Sequence, residues 1–190
     1  MKALARALGG ISLLALVALA ALAVAVALNL RTYARLTHEE PVAELAFQAR
    51  GPQRWQATLT TVSDLSKQSF ELAGDEWQLD ARVLKWRGWA NLLGLDARYR
   101  LERVSGRYRD IAQERSAPRT VYALGEEPTL DLWALARDYP DWLPFVDAVY
   151  GSATYLPMAD GASYEVTLSQ SGLIARPQNA AARAVSGPAK

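Results

Sequence analysis

The chain has 190 residues, a formal net charge of +1, one histidine and no cysteine. Without cysteine it can form no disulfide, use no thiol nucleophile and carry no lipid on a lipobox cysteine; a zinc centre built from His and Cys ligands is excluded by count. The near-neutral balance goes with an expectation of no nucleic-acid partner and no cofactor.

Residues 1–10 form a short basic tail containing Lys2 and Arg6. Residues 11–30 follow as one apolar run without charge or proline, interrupted by Ser12 and Asn29. As a helix this run is roughly 30 Å long, the thickness of a bilayer's hydrocarbon core. A cleaved signal peptide is the alternative, with Ala21-Leu22-Ala23 and Ala23-Val24-Ala25 as small-residue sites. The apolar stretch, however, exceeds the usual ~7–15 residues of such a leader and runs past both sites. The expectation is a retained single-pass anchor in the inner (cytoplasmic) membrane, with the N-terminus inside and the remaining chain periplasmic or extracellular. Residues 31–41 read as a stalk.

From Val42 the hydrophobic period becomes two. Ala43, Leu45, Phe47 and Ala49 share one face against Glu44, Gln48 and Arg50, and Trp55, Ala57 and Leu59 repeat the pattern. Phe70 and Leu72 lead to a turn at Ala73-Gly74-Asp75, and Trp77, Leu79, Ala81 and Val83 return from it. The phase slips at Leu84 and Trp86, the mark of a bulge or of a strand covered on both faces. Ala97, Tyr99 and Leu101 alternate next, Ser105-Gly106 predicts a turn, and Thr120 to Leu124 predicts a short strand. Two helices are predicted after that, one capped by Thr129 and running through Ala136, the other capped by Asp141 and ending at Gly151. A hairpin at Tyr164–Arg176 closes the domain. The fold class is therefore α+β: mainly antiparallel β (a curved sheet, barrel or sandwich) spanning residues 42–176, with a short two-helix insertion, preceded by one N-terminal transmembrane helix. Residues 177–190, rich in alanine, are expected to be a disordered tail.

Catalytic chemistry is poorly supported. The single histidine, His38, sits on the stalk, and no nucleophile elbow, phosphate loop or dinucleotide fingerprint is present. Asp138, Asp141, Asp147 and Glu126-Glu127 are the acids a carboxylate-dependent hydrolase would draw on; two of them would have to converge in a pocket. No catalytic residue and no metal ligand is assigned.

Charge and aromatics are more telling. Residues 82–119 hold ten basic and four acidic residues, whereas residues 120–165 hold one basic and eight acidic. Arg98 and Arg100 share a strand face and could contact anionic lipid, an envelope polymer or an acidic partner; the alternative is that the basic hairpin packs beside the acidic helices of its own domain. Of the six tryptophans, Trp55 and Trp77 fall on inward faces. Trp86, Trp89, Trp133 and Trp142 occur at a phase slip, in a loop and on short helices, where an amphipathic ring suits a pocket or interface. These four with Arg98 and Arg100 are the predicted ligand- or partner-binding residues.

LTHEEPVAELAF (36–47), GDEWQLDARVLKWRGWANLLGLDARYRLERVSGRYRD (74–110) and the run Arg119 to Leu124 resemble a group of small single-span bacterial envelope proteins of undefined function. These often carry an inherited label of cation or multidrug efflux pump. The resemblance brings no catalytic motif, and one span offers no transport path within a single chain. The functional expectation is a membrane-anchored, non-enzymatic envelope protein that binds a ligand, lipid or partner protein outside the cytoplasm. The alternatives are the hydrolase and an accessory subunit of a larger membrane complex.

Overall fold

A computed structural model describes residues 2–86, 98–125, 146–169 and 171–187, together with Trp133, Leu135, Asp138, Tyr139 and Asp141. The side chains of 2–12, 35, 36 and 147–150 lie outside that description. The chain divides into two compact units, residues 1–38 and 39–190.

The first unit is a single helix, α1 (Lys2–Leu36). Alanine and leucine, the strongest helix formers, dominate it, and no proline interrupts it. Leu13–Ala34 is long and apolar enough to cross a membrane by length and composition. The helix also takes in most of the expected stalk. Thr32 and Thr37 donate their hydroxyls to the carbonyls of Leu28 and Tyr33, each at 2.9 Å, so the polar side chains satisfy themselves on the helix backbone. That leaves residues 37–39 between helix and sheet.

The second unit is built from two antiparallel sheets. β1 (Glu40–Gly51), β2 (Arg54–Thr61), β3 (Lys67–Ala73), β8 (Ser163–Ser169) and β9 (Gly172–Pro177) form one, in the order β3-β2-β1-β8-β9. The other orders β6 (Val121–Ala123), β5 (Arg98–Arg107), β4 (Glu76–Trp86) and β7 (Val146–Pro157) as β6-β5-β4-β7. A one-turn helix, α2 (Ile111–Ser116), joins β5 to β6, and Asp110 caps it by accepting from the Gln113 amide at 2.7 Å.

One hydrophobic core belongs to both sheets. Leu45, Phe47, Leu59 and Leu72 from the first meet Trp77, Leu79, Val83 and Val104 from the second. Trp77, fully buried, stacks on Phe47 with ring centroids 6.1 Å apart and tilts against Tyr164 at 5.4 Å. The sheets also meet along both edges. On one side the Ala73 amide donates to Thr120 Oγ1 and the Tyr122 hydroxyl to the Glu71 carbonyl; on the other the Leu173 amide donates to Ser152 Oγ.

Three sequence expectations are corrected. Ser105-Gly106 is not a turn, because β5 runs through both. Gly106 is there for clearance: a Cβ at this position would lie 2.0 Å from the Ala73 carbonyl oxygen, where the β3–β4 turn crosses β5. The expected helix Asp141–Gly151 gives way from Val146 to strand β7, paired with β4 from Trp86↔Val146 to Glu76↔Pro157. Valines 146 and 149 suited a helical stripe and a strand equally, and the long partner β4 decided it. Finally, the tail carries helix α3 (Ala180–Ser186), capped by Asn179, with Ala182 buried in the core. The phase slip around Trp86 corresponds to a register shift between Lys85 and Trp86 in the β4–β7 pair.

Candidate functional site

Antiparallel pairing returns the end of β2 to the start of β1, with Thr61 opposite Ala43 and the Val62 amide donating to the Val42 carbonyl at 3.1 Å. The start of β5 comes to the same place from the other sheet. Its pairing with β6 covers Arg103–Ser105, so Arg98–Leu101 have β4 as their strand neighbour among the described residues. Between these strand ends lies a cleft of about 460 Å³. Glu40 and Val42 of β1, Thr61 and the β2–β3 turn, Gln68 of β3, Arg98–Leu101 of β5, and Leu124-Gly125 line it.

The turn wall is rigidly arranged. The Asp64 carboxylate accepts from the Thr61 hydroxyl and from the Ser66 amide at 3.1 Å, while the Thr61 and Ser66 hydroxyls bond each other at 2.7 Å. The Thr61 hydroxyl and then the Ser66 amide hold the Asp64 carboxyl below the usual carboxylate range. Burial, followed by the fields of Glu40 and Asp64, pushes the Tyr99 phenol up, so it remains a neutral hydroxyl at physiological pH. Arg98 and Glu40 are both exposed, line the same cleft, and form no ion pair among the described residues. The site thus offers an open cation, an open carboxylate, several hydroxyls and an apolar part from Val42, Leu101 and Leu124.

The predicted residues are partly gathered here. Arg98 and Arg100 both line the cleft. Arg100 turns its guanidinium over Trp133, 5.0 Å from the ring centroid, which joins two of the predicted residues in a cation–π contact. Glu102 holds Arg82 and lies 3.8 Å from Arg100, relieving the opposition of the two arginines across the β4–β5 pair. Trp86 is half-buried at the end of β4, paired with Val146. Trp89 and Trp142 lie outside the described residues.

Part of the basic segment is neutralised within its own sheet and the adjoining helix. Among the described residues, acids of β4, β5 and α2 take up this part. Arg103 binds the carboxylate of Asp80, Arg109 meets Glu76 at 2.9 Å and Arg119 meets Glu114 at 3.6 Å, while Arg107 lies over the Tyr155 ring at 4.3 Å. Arg98 is left outside these pairs. Of the acids a hydrolase would use, Asp138 and Asp141 are exposed; Glu126, Glu127 and the Asp147 side chain lie outside the described residues.

Sequence reasoning missed Glu40, Asp64 and Tyr99 as site residues. Each reads locally as an ordinary strand or turn position, and it is the return of β2 to the start of β1 that collects them. No protein-family model, curated protein or solved structure matches the chain.

Proposed function

We propose that this is a membrane-anchored, non-enzymatic binding domain held outside the cytoplasm by α1, and that the β1/β5 cleft takes a small zwitterionic ligand. The observation that carries this reading is the pair of unspent opposite charges, Arg98 and Glu40, lining one hydroxyl-rich cleft. The planar fork of Arg98 suits a carboxylate or phosphate, and Glu40 suits an ammonium group. Tyr99, Ser63 and Thr61 supply neutral hydrogen bonds for orientation, and the adjoining apolar side chains shield part of the ligand from water. We read the two sheets, joined at both edges, as a flattened barrel with this cleft at one end. The anchor reading rests on the length and composition of α1 and on Lys2 and Arg6 ahead of its apolar stretch.

Glycerophosphoethanolamine and glycine test the cleft, with inorganic phosphate and ethanolamine as single-charge controls. Titrated into the detergent-solubilised full chain, at least one zwitterion should shift the amides of Tyr99 and Ser66 in NMR spectra and outcompete both controls. Arg98→Ala and Glu40→Gln should each weaken that binding about tenfold, the equivalent of one lost charge-assisted hydrogen bond of ~1.4 kcal/mol. Binding untouched by both substitutions would dismiss the site.

A further inference from the structure

The rim of the cleft carries an apolar projection that packing does not explain. In the β2–β3 turn, Leu65 is 75% exposed and Val62 is 42% exposed. Leu65 also has φ of 54°, a left-handed conformation that a leucine adopts at a cost. Turns normally place glycine or asparagine at such a position. Here Asp64 and Ser66 fix the turn around Leu65 through their hydrogen bonds to Thr61, so a large apolar side chain is held outward on a strained backbone.

We propose that this turn is a bilayer-contact element, with Val62 and Leu65 entering the headgroup region of the membrane to which α1 tethers the domain. The proposal rests on α1 being a membrane span, and chain topology supplies the rest. β1 leads away from the tether, β2 returns antiparallel to it, and the turn after β2 is hydrogen-bonded to Val42, the third residue of β1. The linker from Leu36 to Glu40 can extend no more than ~14 Å. The turn therefore lies at the same end of its sheet as the first residues after the tether. Lys67, exposed at the start of β3, and Arg98 supply cations at the level of lipid phosphates, as in interfacial segments whose apolar side chains dip in while lysine and arginine stay in water.

The absence of native cysteine makes the test direct. Single-cysteine variants of the full chain, Leu65→Cys, Val62→Cys, Ile111→Cys and Leu22→Cys, would carry an environment-sensitive fluorophore. Each would be reconstituted into phosphatidylethanolamine–phosphatidylglycerol vesicles containing lipids spin-labelled near the headgroup or deep in the chain. Ile111 is the aqueous control: it is exposed on α2, which packs through Gln113 on Gln53 of the β1–β2 turn, the far end of β1. The labels at 65 and 62 should be quenched by the headgroup-proximal spin label at least about twofold more than the label at 111. Leu65→Gly, which relieves the backbone strain, should raise stability yet reduce quenching at a label on position 62. Labels at 65 and 62 behaving like that at 111, while the label at 22 is quenched from the chain region, would overturn the turn's role alone. A label at 22 that no lipid probe quenches would overturn the span reading, and this inference with it.

Discussion

Glu39 shows how one side chain fixes the start of the second unit. Arg176 Nη2 donates to Glu39 Oε1 at 2.7 Å, Arg176 Nη1 reaches Oε2, and the Thr167 hydroxyl donates to Oε2 at 2.8 Å. Hydrogen bonds from Arg176 and then Thr167 hold the Glu39 carboxyl at about 2. Because this value lies below its unfolded one of 4.5, the contribution is complete above the unfolded pKa and fades as pH falls through the folded one. Both side chains are partly exposed, at 28% and 48%, so solvent screening limits the pair to about 1 kcal/mol or less. Glu39→Gln should therefore cost stability at pH 7, and the difference should shrink below pH 4.5 and vanish only once the pH is under about 2, as read from urea unfolding of the two proteins across that range. Gly106 acts through clearance instead. Gly106→Ala must push the β3–β4 turn off β5 and should lower stability by roughly 2–4 kcal/mol, with a lower thermal midpoint and no new exposed apolar surface in the native state.

At the scale of elements, alternation was a dependable guide wherever one face met the core. β1, β2, β4 and β8 follow their sequence pattern, and the bulge between Pro41 and Ala43 in the β1–β8 pair explains why Val42 and Ala43 are both buried. Local reading failed where a distant partner decided the outcome. Val146 to Gly151 has the spacing of a helix face but lies along β4, and Gly106 looks like a turn until the backbone of Ala73 is placed against it. The tail misled through composition: alanines with no evident cap read as disorder, although Asn179 is the cap. Its Oδ1 accepts from the Ala182 amide at 2.9 Å, and its Nδ2 donates to the Gly161 carbonyl at 2.7 Å. Asn179→Ala should cost about 1 kcal/mol through the lost cap. Truncation after Pro177 should cost more, because Ala182 leaves the core and uncovers β8 and β9; a disordered tail could be removed without any change in the denaturation midpoint.

Across the whole molecule, the site was legible in part. Arg98 and Arg100 stood out because a basic excess on one strand is visible without a fold, and Trp133 because its ring had no place on an inward strand face. Glu40 was hidden among the charges of the linker, and Asp64 looked like any polar turn residue. Their significance is topological, since three strand ends from two sheets must meet before the cleft exists. Its chemistry is therefore a property of the assembled domain, and unfolding either sheet should abolish binding before the helix melts.

β1 lies at the centre of its sheet, hydrogen-bonded to β2 on one side and β8 on the other, and it is also the strand to which α1 is joined. A pull on the N-terminus is thus delivered along an interior strand, so both ladders are loaded in shear and many bonds must yield together. A domain hung from an edge strand would instead peel open one bond at a time. For such forced unfolding the unfolding rate, rather than equilibrium stability, is the governing quantity.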